Sequence, residues 1–204
     1  MSGTILPFSF MFILTCLWMA PSLIFSAWMD KFILLCNKKS SLNMKIFEHT
    51  KFCLSLYLDI GSGFGFFFLH VFVVTQCKSI VSLFIVISWP MSPEGFILSR
   101  VFYSSGVLCM SIGLILHIVT LTFKLDAGYQ AMRSMAKPLQ EYLVAVPGED
   151  SLNQEIKNLI NDIRDTGPFS GMGLFSITRD TLTGMLSIAI TYIIILVQFK
   201  MSFG

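Results

Sequence analysis

Polar side chains inside otherwise apolar stretches are where this sequence has chemistry to offer. Residues 181–200, TLTGMLSIAITYIIILVQFK, are apolar enough to live in lipid, yet they carry Thr191, Tyr192 and Gln198 at helical spacing. A polar group in hydrocarbon needs a partner or water. A helix with this set therefore belongs in a packed core or along a water-filled path. On the residues alone, Gln198 and Tyr192 read best as hydrogen-bond glue between helices.

Other candidates are weaker. The five cysteines, Cys16, Cys36, Cys53, Cys77 and Cys109, are odd in number and scattered, with no CxxC pair and no His/Cys cluster. Free, buried thiols are expected rather than a zinc site or a disulfide framework. His70 and His117 each stand alone in an apolar run, where a histidine is more often a hydrogen-bonded core residue than a ligand. Gly61, Gly63 and Gly65 in GSGFGFFF imitate a phosphate loop, but no strand precedes them and no Gly-Lys-Ser/Thr follows. Glycines that let two membrane helices approach closely are the better reading. With no nucleophile elbow, no HExxH and no pair of intramembrane carboxylates, no enzyme activity, metal or cofactor is expected. Basic patches interleaved with aromatics are also missing, which argues against nucleic acid as a partner.

The elements that must position these residues follow from composition. Of 204 residues, 54% are hydrophobic and only 13% charged, and the mean hydropathy is +0.75. That is the class of an integral membrane protein. The expected fold is all-α, a single polytopic membrane domain over residues 1–204 with about four spans: 5–29, 62–88, 97–123 and 172–199. A span takes ~20 helical residues. The first run exceeds a signal-peptide core and has no basic residue before it, so it is read as a retained span. Pro21 should kink it, and Trp18 and Trp28 could anchor an end at the interface. In the third, Gly106, Gly113, Ser104, Ser105 and Ser111 suggest helix packing. His70, Gln76 and Lys78 interrupt the second, which suits side chains facing the bundle interior or, for Lys78, a span that begins or ends nearer to it.

The connections set the orientation. Loops 30–59 and 124–167 each hold five Lys/Arg residues, whereas the turn at 89–95, WPMSPEG, holds none. The positive-inside rule puts both long loops in the cytosol and both termini outside, with Lys200 snorkelling to the outer interface. Within the second loop, Ser151 to Gln154 fits a capping box. Leu152, Ile156, Leu159, Ile160 and Ile163 then recur at three- and four-residue steps, which predicts an amphipathic helix that Gly167-Pro168 stops.

The last stretch also carries a likeness. FSGMGLF over 169–175, then Ile177, Arg179 and Leu182, then Thr191-Tyr192, five mostly apolar residues and Gln198-Phe199, resembles the C-terminal helix of arthropod gustatory receptors. The match is close over residues 168–200 and one of pattern only over 5–167. Such receptors look like seven-span proteins of roughly twice this length, so the four spans match their last four. The chain is then expected to be a fragment, a truncated product or a shortened relative. Thr178 stands where the family often has an acidic residue, which puts a salt bridge from that position in doubt.

The resemblance implies a ligand-gated, non-selective cation channel in the plasma membrane. It implies a homo- or hetero-tetramer with related receptors, opened by a small-molecule tastant and lined by the last helix. Thr191, Ile195 and Gln198, spaced by four and three, share one helix face, beside the family residues Tyr192 and Phe199. Gln198 lies near the outer end, where a ring of amides could coordinate a partly hydrated cation. Ile195, one turn deeper, could close the path by dewetting. No ligand-binding residue is singled out. The alternative is a four-span structural or regulatory subunit that assembles with longer receptors and conducts nothing alone.

Overall fold

The computed structural model describes residues 5–37, 45–88, 97–145 and 150–203, with side-chain surroundings for 20–37, 45–82, 84, 105–144, 151–199 and 201–202. They form six helices: α1 (Ile5–Asn37), α2 (Lys45–Ser88), α3 (Ile97–Ser134), α4 (Ala136–Ala145), α5 (Asp150–Asp165) and α6 (Arg179–Phe203). Among the described residues the one β feature is an isolated antiparallel bridge between Ser170 and Ser176. The fold is all-α, as its composition predicts.

Three helices are long and apolar enough to cross a membrane, over Lys45–Ser82, Ser105–Val144 and Arg179–Phe199. α1 holds the stretch read as a first span and runs through Pro21 as one helix of 33 residues. Its side chains up to residue 19, Trp18 among them, and the turn at 89–95 lie outside the described residues.

The helices outrun the expected spans. α2 is 44 residues long, about 66 Å at 1.5 Å per residue, twice what a bilayer core requires. Residues 30–37 of the first connection are helical, as an apolar FILLC beyond the first span suggests, and so are 45–59, where a solvated loop is the expectation. Phe47, Thr50, Cys53, Leu54 and Tyr57 recur at three- and four-residue steps and are buried, while Lys45 and Lys51 are exposed. Lys45 and Lys51 decorate the wet side of an amphipathic helix.

Much of 124–167 is helical too. α3 continues to Ser134 and stops there for a local reason. Pro138 has no N–H to give the Ser134 carbonyl, so the chain turns at Met135, where Met135 N–H donates to Met132 O at 3.1 Å. α4 then starts with Pro138 in its first turn, where the missing donor costs nothing, and packs against α5. The α5 stripe behaves as its spacing predicts: Ile156, Leu159, Ile160 and Ile163 are buried. The capping box does not form. α5 already includes Asp150, so Ser151 is inside its first turn, and Gln154 Nε2 donates forward to Asn158 Oδ1 at 3.1 Å.

The chain divides into two compact units, one of Met1–Tyr57 and Ala127–Thr166, the other of Leu58–Asp126 and Gly167–Gly204. Met29, Phe32, Phe47, Cys53, Met132, Leu139, Ile156 and Ile163 are buried in the first. Phe68, Phe72, Leu121, Leu125, Phe169 and Ile177 are buried in the second.

Candidate functional site

The second unit contains α6 and the parts that hold its start. Residues 172–178, expected to be the beginning of the last span, form a tight hairpin instead. Ile177 N–H donates to Phe169 O at 2.7 Å, Gly171 N–H to Phe175 O at 3.0 Å and Leu174 N–H to Gly171 O at 3.0 Å. Both central residues of the turn have positive φ, Met172 at 53° and Gly173 at 75°. With Gly171 paired to Phe175, the loop holds Met172, Gly173 and Leu174, and positive φ at the first two turns the chain back on itself. It leaves Met172 in a left-handed conformation that costs a side chain ~1–2 kcal/mol, held by the packing beneath.

That packing is a groove on α2. A methyl group at Gly65 would lie 3.3 Å from Met172 N, and one at Gly61 3.7 Å from the Phe169 ring. Gly171 in turn comes so near Leu69 that a methyl there would sit 3.4 Å from Leu69 Cα. Phe68 meets Phe169 with ring centroids 5.9 Å apart, and Phe72 meets Phe175 at 5.8 Å. The α2 glycines do permit close approach, but what approaches is a hairpin and not a helix. Gly63 and Gly113 face open space.

α6 begins at a cap. Thr181 N–H donates to Thr178 Oγ1 at 3.3 Å, and Leu182 N–H donates to the Thr178 carbonyl at 3.2 Å, the pattern of an N-cap residue. The Thr181 hydroxyl donates to Ser176 O at 2.6 Å. At 3.0 Å, the Thr178 hydroxyl is then its donor. Asp180 in the first turn suits the positive end of the helix dipole. Thr178→Ala is expected to remove about 1 kcal/mol of stability, read as a lower thermal midpoint in detergent, and Thr178→Asp to keep the cap. Equal midpoints for all three side chains would deny Thr178 this role.

One residue on from Thr178 a salt bridge forms between other partners. Arg179 Nε lies 2.8 Å from Asp126 Oδ2 on α3, with the carboxylate side chain 12% exposed and the guanidinium side chain 60%. The guanidinium carbon also sits 4.8 Å from the ring centre of Phe123, one turn from Asp126 on the same face of α3. Further along, Gln76 Nε2 donates to the Met185 carbonyl of α6 at 2.8 Å. An intramembrane amide turned inward is what the interrupted apolar run predicts. Two hydroxyls beside it, Thr75 Oγ1 and Ser79 Oγ, are buried with no partner among the described residues.

α6 shows two faces. Leu182, Met185, Ala189, Ile193 and Leu196 are buried or half-buried at steps of three and four, which marks the side packed on the rest of the unit. Thr183, Ser187, Thr191, Ile195 and Gln198 are exposed and lie about half a turn away. Thr191, Ile195 and Gln198 do share a face, and that face turns away from the packing of its own unit. Its hydroxyls are satisfied by the helix itself: Thr183 donates to Arg179 O at 3.3 Å, Ser187 to Thr183 O at 3.0 Å and Thr191 to Ser187 O at 2.9 Å. Tyr192 and Phe199 flank this stripe, 54% and 59% exposed. Only 6% of the apolar stretch of α6 is buried, against 33% and 28% in the other two candidate spans.

A sequence model of the 7tm chemosensory receptor family matches residues 26–203. The chain belongs to that family. No curated protein matches it. A multi-pass chemosensory receptor accounts for the apolar helices, and the family is not an enzyme family. Among the described residues no group of three or more His, Cys, Asp or Glu is placed to hold a metal ion. His70 is exposed and stacks on Phe66, ring centroids 6.1 Å apart, so it is not the core residue expected of it. Asp126 and Arg179 are the receptor residues that spacing alone does not reveal. The one signal is an acid directly beyond an apolar block, facing a cation directly before another.

Proposed function

We propose that this receptor is a taste receptor subunit in the plasma membrane. It forms a ligand-gated, non-selective cation channel with related subunits, most simply as a tetramer, and α6 lines the path. Both basic connections lie in the cytosol and the C-terminus outside, and α1 supplies the fourth span. A small-molecule tastant opens the path.

One observation supports the reading above the rest. The exposed stripe of α6 carries Thr183, Ser187, Thr191 and Gln198 on the side opposite its intramolecular packing. The three hydroxyls, already bonded to their own helix, sit in lipid at little cost, but they keep lone pairs that a wet path can use, and the Gln198 amide needs water or a partner. Tyr192 and Phe199, on the shoulder of the stripe, are set to meet a neighbouring subunit. Ile195, the apolar member of the stripe, forms the dewetting constriction, and Gln198 the outer amide ring.

The test is electrical. With the receptor expressed alone or with related subunits, Gln198→Glu is expected to raise the permeability of divalent relative to monovalent cations several-fold. Gln198→Ala is expected to alter single-channel conductance, and Ile195→Ser to increase current in the absence of ligand. If both Gln198 substitutions leave conductance and ion selectivity untouched, α6 does not line the path.

A further inference from the structure

The unit of Met1–Tyr57 and Ala127–Thr166 holds a pair of thiols that conduction does not use. Cys36, in the last turn of α1, and Cys53, in α2, are 8% and 0% exposed, and both are free. α1 and α2 run antiparallel here. Phe32 meets Tyr57 with ring centroids 6.1 Å apart. Cys36, one turn further along α1, comes opposite Cys53, one turn back along α2, on the same two faces. The His49 contact with Leu35, the neighbour of Cys36, brings the two helices together at this same level.

His49 completes the group. Its Nε2 lies 3.1 Å from the Leu35 carbonyl oxygen and 3.9 Å from Cys53 Sγ. A carbonyl can only accept, so Nε2 carries the proton. Cys53 Sγ consequently lies beside an N–H and not a lone pair. That N–H favours a thiolate on Cys53, while the Cys36 thiol is pushed up by its hydrogen bond with Cys53 and by burial. His49 stands beside Cys53, which marks Cys53 as the attacking sulfur and leaves Cys36 to resolve.

We propose that Cys36 and Cys53 are a reversible oxidation site that closes to a disulfide on exposure to hydrogen peroxide. The Cys53 thiolate attacks one peroxide oxygen and the O–O bond breaks. Cys53 becomes a sulfenic acid, and the departing hydroxide takes up a proton to leave as water. Cys36 then gives up its proton, its sulfur attacks Cys53 Sγ, the S–S bond forms and the S–O bond breaks, releasing a second water. Two thiols lose two electrons and two protons in total, and the peroxide is reduced to two waters. A small neutral oxidant suits the site because Cys53 has no exposed surface for a bulky disulfide to reach. Any cellular thiol reductant that meets the bridge in a transiently opened state restores the pair. The bridge ties the end of α1 to α2 and fixes their register, so it acts on the helices that lead into the membrane.

The experiment uses the full chain in lipid nanodiscs, treated with a few-fold excess of hydrogen peroxide, alkylated and mapped by mass spectrometry. The expected product is a pair of peptides carrying residues 36 and 53, joined with the loss of two hydrogens and separated by a phosphine reductant. Cys77 and Cys109, both exposed, remain unlinked. In Cys36→Ser the sulfenic acid has no resolving partner, so dimedone labels Cys53. His49→Gln slows oxidation several-fold without changing which sulfurs join. Four outcomes overturn the proposal: no link in the native sequence, a link through Cys16, Cys77 or Cys109, over-oxidation of Cys53 without a link, or dimedone on Cys36 in place of Cys53. The mapping of the unmutated chain is decisive even where a variant fails to fold.

Discussion

Gly63→Ala is expected to stabilise the receptor, and Gly65→Leu, two residues on, to detach the hairpin from α2. Both glycines are inside a helix, where glycine costs roughly 0.5–1 kcal/mol relative to alanine. A methyl group at Gly63 meets nothing within 4 Å, so that gain is realised in full. At Gly65 the added carbon lies 3.3 Å from Met172 N and 3.6 Å from both Met172 Cα and Ser170 O. All three are backbone atoms of a turn that cannot swing aside like a side chain. Gly65→Ala should therefore roughly break even, and Gly65→Leu should cost about 2–3 kcal/mol, the scale of a forced overpacking. The thermal midpoint in detergent tests the signs. Hydrogen exchange tests the mechanism: the amides of Gly171 and Ile177, bonded to Phe175 O and Phe169 O, should lose protection in the leucine variant alone. Undiminished protection there would mean that the hairpin does not depend on the groove.

That pair of glycines shows how far the sequence carries. A row of small residues in an apolar run signals close approach, and close approach occurs at Gly61 and Gly65. Its partner was not legible, because FSGMGLFS is apolar enough to pass for the start of a span. Nothing in a methionine announces a φ of 53°. Only the hairpin bonds and the ring contacts beneath them fix it. The helical class and the α5 stripe were legible, because composition and a three-to-four-residue period report them directly. The reach of α2 was not, since Lys45 and Lys51 look the same on a loop as on the wet face of a helix. What separates the cases is the spacing of Phe47, Thr50, Leu54 and Tyr57, a weaker signal than a cluster of charge. The α6 stripe lies between these extremes. Spacing put Thr191, Ile195 and Gln198 on one face, and only the packing of Leu182, Met185 and Ala189 reveals that this face points outward.

Arg179→Ala is expected to destabilise the receptor more than Asp126→Asn, although both break the same ion pair. The two partners differ in what they lose. Asp126 is buried, so removing Arg179 leaves a carboxylate with no ion-pair partner among the described residues and little water. A fully buried orphan charge costs ~3–5 kcal/mol. Because the guanidinium side chain is 60% exposed, water reaches the vacated site, and about 2 kcal/mol is the reasonable expectation. Removing the charge of Asp126 leaves an arginine that rehydrates readily, keeps its stacking on Phe123 and still has an amide oxygen to meet. That loss should stay near 0.5–1 kcal/mol. Exchanging the residues, Asp126→Arg with Arg179→Asp, should recover stability beyond the sum of the single changes. Phe123→Leu separately removes the cation–π contact, on the order of 0.5–1 kcal/mol. If the exchange is additive within about 0.3–0.5 kcal/mol, the pair does not hold α6 to α3. If the coupling is real, the proposed conduction reading gains a second handle. A change at the foot of α6 should shift the ligand concentration for half-opening while leaving ion selectivity alone. Gln198 variants should do the reverse, so one receptor would separate the gate from the path.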